Sequence, residues 1–272
     1  MTAPGMPPLP PAPNEPPALE IVGAEERSGV LVRDARIDGS IEAYVVEPMV
    51  ADARTAAPGL VFAHWFDTHA PDGNRSEFVA EAVEWIGAHG GSAVLPQLTF
   101  PWTANPTGSA VDRDRIAGDL GLLRRCVDLV ARRPGVDPER IGVVGHDFGA
   151  MHAIILGTVD RRPAAYVLMA AVPRWADWFL PFWDIPEDRI DYLRAMRALD
   201  PIEHIGGVAP ARLLLQFGRR DFFIAPMTGL ELKAAAPEGT ELKAYDAEHD
   251  MALDEIRADR RAFLEDTLGV QS

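Results

Sequence analysis

A series of short apolar runs, each too brief for a buried helix and most of them followed by a helical pattern, constrains this chain more than any other feature. Residues 59–63 (GLVFA), 93–96, 141–145 (IGVVG), 165–169 and 212–217 (RLLLQF) are continuous rather than alternating, as strands covered on both faces are. Helical spacing fills residues 76–89, ending at Gly90-Gly91, then 113–133, 148–158 and 254–268. Residues 29–38 and 41–47 read as an antiparallel opening, and 241–245 as a last strand. Such alternation predicts an α/β chain: a doubly wound, mostly parallel sheet with helices on both faces.

One sheet consumes the chain, so its 272 residues are read as a single domain over 19–272. Residues 1–18 carry Pro4, Pro7, Pro8, Pro10, Pro11, Pro13, Pro16 and Pro17, which cannot donate ladder hydrogen bonds. They are expected to form a disordered leader. Two stretches interrupt the rhythm: residues 97–111, and residues 172–205, which hold Trp175, Trp178, Phe179, Phe182 and Trp183. Long connections at the carboxyl edge of such a sheet build binding sites, so 172–205 is expected to act as a short aromatic-rich lid or pocket wall.

Composition excludes several functions. With 26 Lys+Arg against 41 Asp+Glu, the net charge of −15 opposes nucleic-acid binding, and no basic run offsets it. No apolar run reaches the ~18 residues of a membrane span. The first residues lack a charged n-region and an apolar h-region, so a cytoplasmic protein is expected. Cys126 is the only cysteine, which removes an internal disulfide framework. It lies on the stripe Ile116, Leu120, Leu123, Val127, Val130 and is read as a packing residue. A small molecule is the expected partner, with no cofactor.

The chemistry is concentrated in residues 141–151 (IGVVGHDFGAM), an apolar strand, a tight G-x-x-x-G turn and a helix start. Small residues let the chain turn so sharply that the central side chain stands exposed on the positive end of the helix. This segment resembles the nucleophile elbow of the α/β-hydrolase superfamily, and the preceding GVDPERI (residues 135–141) resembles its dienelactone hydrolase-like branch. The resemblance covers the chain from residue 29 onward and implies the α/β-hydrolase fold. It also implies the order nucleophile, acid, histidine. Asp221, after the 212–217 strand, stands at the family's acid position, and His249, after the 241–245 strand, at that of its base. His64, His69, His89, His146, His152 and His204 are poorer candidates for the base.

At the elbow the family most often carries Ser or Cys; here the residue is Asp147. A carboxylate attacking an ester forms an intermediate that expels the carboxylate again rather than an alkoxide. Attack on a saturated carbon instead leaves a stable ester on the aspartate. His249, oriented by Asp221, then activates water against that ester while backbone N–H groups hold the oxyanion. Asp147 resembles the aspartate of the superfamily's dehalogenases and epoxide hydrolases. By position, Phe148 and either Trp65 or Phe66 would form the oxyanion hole, although glycine is missing from His64-Trp65-Phe66-Asp67. His64, Asp67 and His69 do not make a convincing metal set, so no metal is expected.

Epoxide opening requires a proton donor, and Tyr192 is the only tyrosine in the possible lid. Halide departure requires N–H donors, which Trp65, Trp102, Trp175, Trp178 and Trp183 offer. The expected pocket therefore comprises Trp102, Trp175, Trp178, Trp183 and Tyr192, and carbon–halogen cleavage is favoured over epoxide opening. Two other readings stand beside it. One is a dienelactone hydrolase-like ester or lactone hydrolase, or a natural-product-modifying enzyme, with Asp147 as base. The other is a small-molecule binding protein without catalysis.

Overall fold

The structure, a computed structural model, describes residues 15–50, 56–66, 70, 72, 75–183, 187–225 and 227–270. Most of the Pro-rich leader, and Asp67 and His69, lie outside the described residues. The strands are β1 (Leu19–Arg27), β2 (Val30–Ile37), β3 (Ile41–Pro48), β4 (Ala57–Ala63), β5 (Ser92–Pro96), β6 (Val136–His146), β7 (Pro163–Met169), β8 (Arg212–Gly218) and β9 (Glu241–Tyr245). They form one sheet in the order β1-β2-β3-β5-β4-β6-β7-β8-β9. Pairing is antiparallel from β1 through β3 to β5 and parallel from there to β9. The expected α/β architecture is therefore present.

Helices α1 (Val79–His89) and α8 (Asp254–Leu268) cover one face. The other carries α2 (Ala110–Ala131), α3 (Phe148–Val159) and α7 (Met227–Ala235). Between β7 and β8 lie α4 (Trp175–Phe182), α5 (Arg189–Arg197) and α6 (Pro201–His204). β4 and β5 are buried at every position, and β6 from Ile141 onward, because both faces are covered there. Cys126 is fully buried in α2, and burial pushes its thiol up, so it stays protonated.

Two elements depart from the sequence expectation. β1 is exposed at nearly every position, so no burial pattern marks it in the sequence. It is an edge strand, held by ladder bonds to β2. α7 was not expected either. Its Gly229 fits only because the Phe217 ring lies against it: an added Cβ would stand 2.7 Å from that ring. Among the described residues no helix is long and apolar enough to cross a membrane.

The chain winds from β4 through α1 to β5 on one side, then back through α2 to β6 on the other. The carboxyl ends of β4 and β6 thus flank the topological switch point, where ligands settle in open α/β sheets.

Candidate active site

The elbow is built by close approach. An added Cβ on Gly149 would stand 2.1 Å from the Ala63 carbonyl oxygen, and one on Gly145 would stand 2.6 Å from the Ala150 Cα. Glycine at both positions lets α3 start against the end of β4. Asp147, between them, takes φ 53° and ψ −118°, a conformation that costs an L residue on the order of 1–3 kcal/mol. Its N–H donates to the Met169 carbonyl at 2.9 Å, which ties the turn to the tip of β7.

The two partner loops arrive together because β8–β9 pairing continues beyond the strands. Arg219 N–H donates to the Tyr245 carbonyl at 2.8 Å, and Arg220 N–H to the Ala247 carbonyl at 3.0 Å. Asp221 Oδ2 then meets His249 Nδ1 at 2.8 Å. The other Asp221 oxygen, Oδ1, accepts from the N–H groups of Phe223 at 2.8 Å and Ile224 at 3.0 Å. On its far side, His249 Nε2 stands 3.8 Å from Asp147 Oδ2, an ionic contact longer than a hydrogen bond. The structure thus brings Asp147, Asp221 and His249 into one line.

Burial alone lowers the His249 pKa, but the carboxylates of Asp147 and Asp221 outweigh it and push the imidazole up to about 9. Burial raises Asp147 above the usual carboxylate range, against the opposing pull of His249. At neutral pH the His249 imidazole is therefore protonated, facing Asp147 on one side and Asp221 on the other. Because His249 titrates near 6.5 when unfolded and about 9 when folded, the folded state holds the extra proton in that window. The stability it contributes is present below the window and lost as pH rises through it. The melting temperature of the wild type should fall over that range, more steeply than that of His249→Gln; parallel curves would refute the assignment.

The oxyanion side is organised by an unexpected clamp. Phe66 N–H makes a long hydrogen bond, 3.4 Å, to Asp147 Oδ2. The carbonyl of the same peptide unit, on Trp65, accepts from His64 Nδ1 at 3.0 Å and from Trp102 Nε1 at 2.9 Å. In a trans peptide C=O and N–H point in opposite directions. Two donors gripping the Trp65 oxygen from behind therefore aim the Phe66 N–H at the carboxylate and replace the rigidity of a tighter turn. His64 Nε2 accepts from Leu98 N–H at 3.2 Å, which fixes the neutral Nδ1–H tautomer. Burial lowers its pKa to about 4, so that tautomer persists at neutral pH. Replacing Trp102 by Phe keeps the ring and removes one donor; turnover of any substrate hydrolysed at this site should drop about tenfold, less than for loss of a direct oxyanion donor. Steady-state kinetics would check it, and an unchanged rate would remove the clamp from the chemistry.

The remaining described histidines are engaged elsewhere. His146 Nε2 donates to the His249 carbonyl at 2.7 Å, and its ring stacks on Trp65, 5.0 Å between centroids. His152 Nδ1 donates to the Phe148 carbonyl at 2.7 Å, His89 meets Glu265 at 3.0 Å, and His204 donates to the Ala198 carbonyl at 2.9 Å. Among the described residues no group of three His, Cys, Asp or Glu side chains is placed to hold a metal ion.

Asp147 and His249 open onto a cavity of about 440 Å³ walled by Phe66, Phe148, Trp178, Trp183 and Phe223, with Asn105 the one uncharged polar side chain among its described lining residues. The α4 region thus supplies part of the wall through Trp178, Phe182 and Trp183. Three expected pocket residues stand elsewhere. Trp175 is fully buried behind Phe148, its rings stacked at 6.0 Å and its indole N–H donating to the Leu199 carbonyl at 2.7 Å. The Tyr192 hydroxyl donates to Asp112 Oδ2 at 3.2 Å, because that buried carboxylate at the start of α2 draws it inward. Trp102 packs edge-on against Phe66 and Phe148 with its N–H in the clamp. By contrast, the indole nitrogens of Trp65 and Trp178, both cavity residues, are buried without a hydrogen-bond partner among the described residues.

No family model and no curated relative matches the chain. Solved structures do. An acetyl xylan esterase from Paenibacillus sp. R4 superposes with TM-score 0.73 at 17% identity, over 94% of this chain and 90% of that one. A putative dienelactone hydrolase from Klebsiella pneumoniae subsp. pneumoniae MGH 78578 gives 0.58 at 16%, over 93% and 99%. The α/β hydrolase GrgF from Penicillium sp. sh18 gives 0.58 at 13%, over 94% and 100%. The chain shares their fold.

Proposed function

We propose that this chain of α/β-hydrolase fold is a hydrolase in which Asp147 attacks a saturated carbon, cleaving a carbon–halogen bond in preference to opening an epoxide. The state of the two Asp147 oxygens carries the reading. Oδ2 is held by Phe66 N–H, while Oδ1 is buried at the aromatic cavity with no hydrogen-bond partner among the described residues. A bare carboxylate oxygen costs free energy unless a substrate atom meets it.

In the first step an Asp147 oxygen forms a bond to the substrate carbon as the carbon–halogen bond breaks, its electron pair leaving with the halide. The indole N–H groups of Trp65 and Trp178, buried and unpartnered among the described residues, are the candidate donors for that anion. Esterification then removes the negative charge of Asp147, one of the two that hold His249 protonated. The imidazole gives up its proton and becomes a base. Water, losing a proton to His249, attacks the ester carbonyl; the oxyanion forms against Phe66 N–H, and Phe148 at the helix start adds a second candidate donor. Collapse expels the alcohol and restores the carboxylate, so halide, alcohol and one proton leave for each water consumed. Opening an epoxide would require a proton donor for the alkoxide, and no tyrosine offers one. All four tyrosines are placed away from the cavity: Tyr44 at Asp72, Tyr192 at Asp112, Tyr245 at Asp259, and Tyr166 in the core.

A second reading is ester or lactone hydrolysis, or natural-product modification, with Asp147 as a base. The printed activities of the structural neighbours, esterase and dienelactone hydrolase, favour it; the residue at the elbow favours the first. A binding protein without catalysis has no use for the Asp221–His249 pair. Substitution at Asp147 separates the three. Covalent chemistry is abolished in Asp147→Asn, an esterase scaffold gains ester turnover in Asp147→Ser, and a binder keeps its affinity in both. Alkyl halide turnover surviving in Asp147→Asn would end the first reading.

A further inference from the structure

The walls and the mouth of this cavity define what it admits. Among the described residues no Lys or Arg lines it, and its two ionic groups, Asp147 and His249, already face each other. The adjoining outer cavity, about 460 Å³, shares Trp65, Phe223 and His249 with it and adds Phe222, Arg220, Glu248 and Asp250. Arg220 is the only Lys or Arg among its described lining residues, and it is paired with the Asp246 carboxylate at 3.0 Å and the Asp246 carbonyl at 2.9 Å, with Glu248 at 4.0 Å. An incoming carboxylate therefore meets acidic side chains and no free counter-charge, on a protein of net charge −15.

An apolar path leads in from outside. Phe222 is 87% exposed and touches Phe223 at 5.4 Å; Phe223 meets Phe182 at 5.7 Å and Trp178 at 5.7 Å, and lies 5.2 Å from the His249 ring. A contiguous ladder of rings from solvent to a reactive group marks a binding route rather than scattered surface hydrophobicity. We infer that the site selects an uncharged, apolar substrate, captured on the Phe222–Phe223 mouth, and rejects substrates bearing a carboxylate. The inference rests on reading this cavity as the substrate site, but not on the covalent step.

The test is equilibrium binding to the full chain, followed by tryptophan fluorescence, with 4-phenylbutyramide, 4-phenylbutyrate and 4-phenylbutylamine. The amide should bind at least about tenfold more tightly than the carboxylate, since like-charge juxtaposition is strongly unfavourable. Phe222→Lys, which places a cation at the mouth, should narrow that ratio severalfold, and Phe223→Ala should weaken the amide. A carboxylate that binds as well as the amide overturns the inference. So does an ammonium probe that binds more tightly than the amide, which would make the rings a cation cage. Failure of all three probes to bind at millimolar concentration overturns it as well. Because binding precedes chemistry, neutral selectivity without any adduct at Asp147 would sink only the covalent mechanism.

Discussion

Incubated with an alkyl halide that the wild type turns over, His249→Gln is expected to gain the mass of the alkyl group at Asp147 and to keep it. Asp147 remains free to attack, because its bare oxygen and the Phe66 N–H are untouched by the change. The base that activates water is gone, and general-base assistance is worth about 10²–10⁴-fold. Turnover should fall by that factor while the first step persists. Intact-protein mass, followed by peptide mapping to residue 147, reads the result. Pooled haloalkanes, haloacids, epoxides, esters and lactones widen the search, and the added mass identifies the class. No adduct from any member, with the wild type equally inactive, would move the assignment to base chemistry or binding.

The second large effect concerns the elbow itself. Gly149→Ala places a methyl group 2.1 Å from the Ala63 carbonyl oxygen and 2.4 Å from its carbon. Both are backbone atoms of a buried central strand, so no side chain can swing aside. Overpacking of this kind costs about 3 kcal/mol or more. At about 2–4 °C per kcal/mol for a chain of this size, the melting temperature should fall by about 6–12 °C. Gly118→Ala is the matched control, since Gly118 lies exposed within α2 and nothing stands within 4 Å of an added Cβ. That change should stabilise by about 0.5–1 kcal/mol. Calorimetry of the two variants decides the matter, and equal melting temperatures would mean that the close approach is not rigid.

Much of this architecture was legible because the central strands β4 and β5 are apolar along nearly their whole length and the elbow must be glycine-flanked. Asp147 and Asp221 each follow a buried strand end and His249 follows the partly exposed edge strand β9, and the order that the family resemblance implies nominates all three. β1 was illegible for the opposite reason: its residues are exposed, and only backbone bonds to β2 define it. The tryptophans show a different limit. Sequence counts indole donors, but whether a donor is free depends on carbonyls far along the chain, as Trp175 and Leu199 or Trp102 and Trp65 show. The same holds for Tyr192, whose hydroxyl is claimed by Asp112, eighty positions away. His64 was weighed as a metal ligand, whereas the structure gives it a peptide carbonyl to hold.

On the proposed function, Asp221 has a consequence for how the site can change. Its two oxygens divide their loyalties: one steers the imidazole, and the other fastens the backbone of the loop that carries Phe223. Entrance and catalytic machinery therefore pivot on one carboxylate. Any remodelling of the doorway that tugs on Phe223 or Ile224 is transmitted to the tilt of His249. Substrate range and turnover are in this way genetically entangled, and a wider gate comes with a misaligned base unless a second change re-seats Asp221.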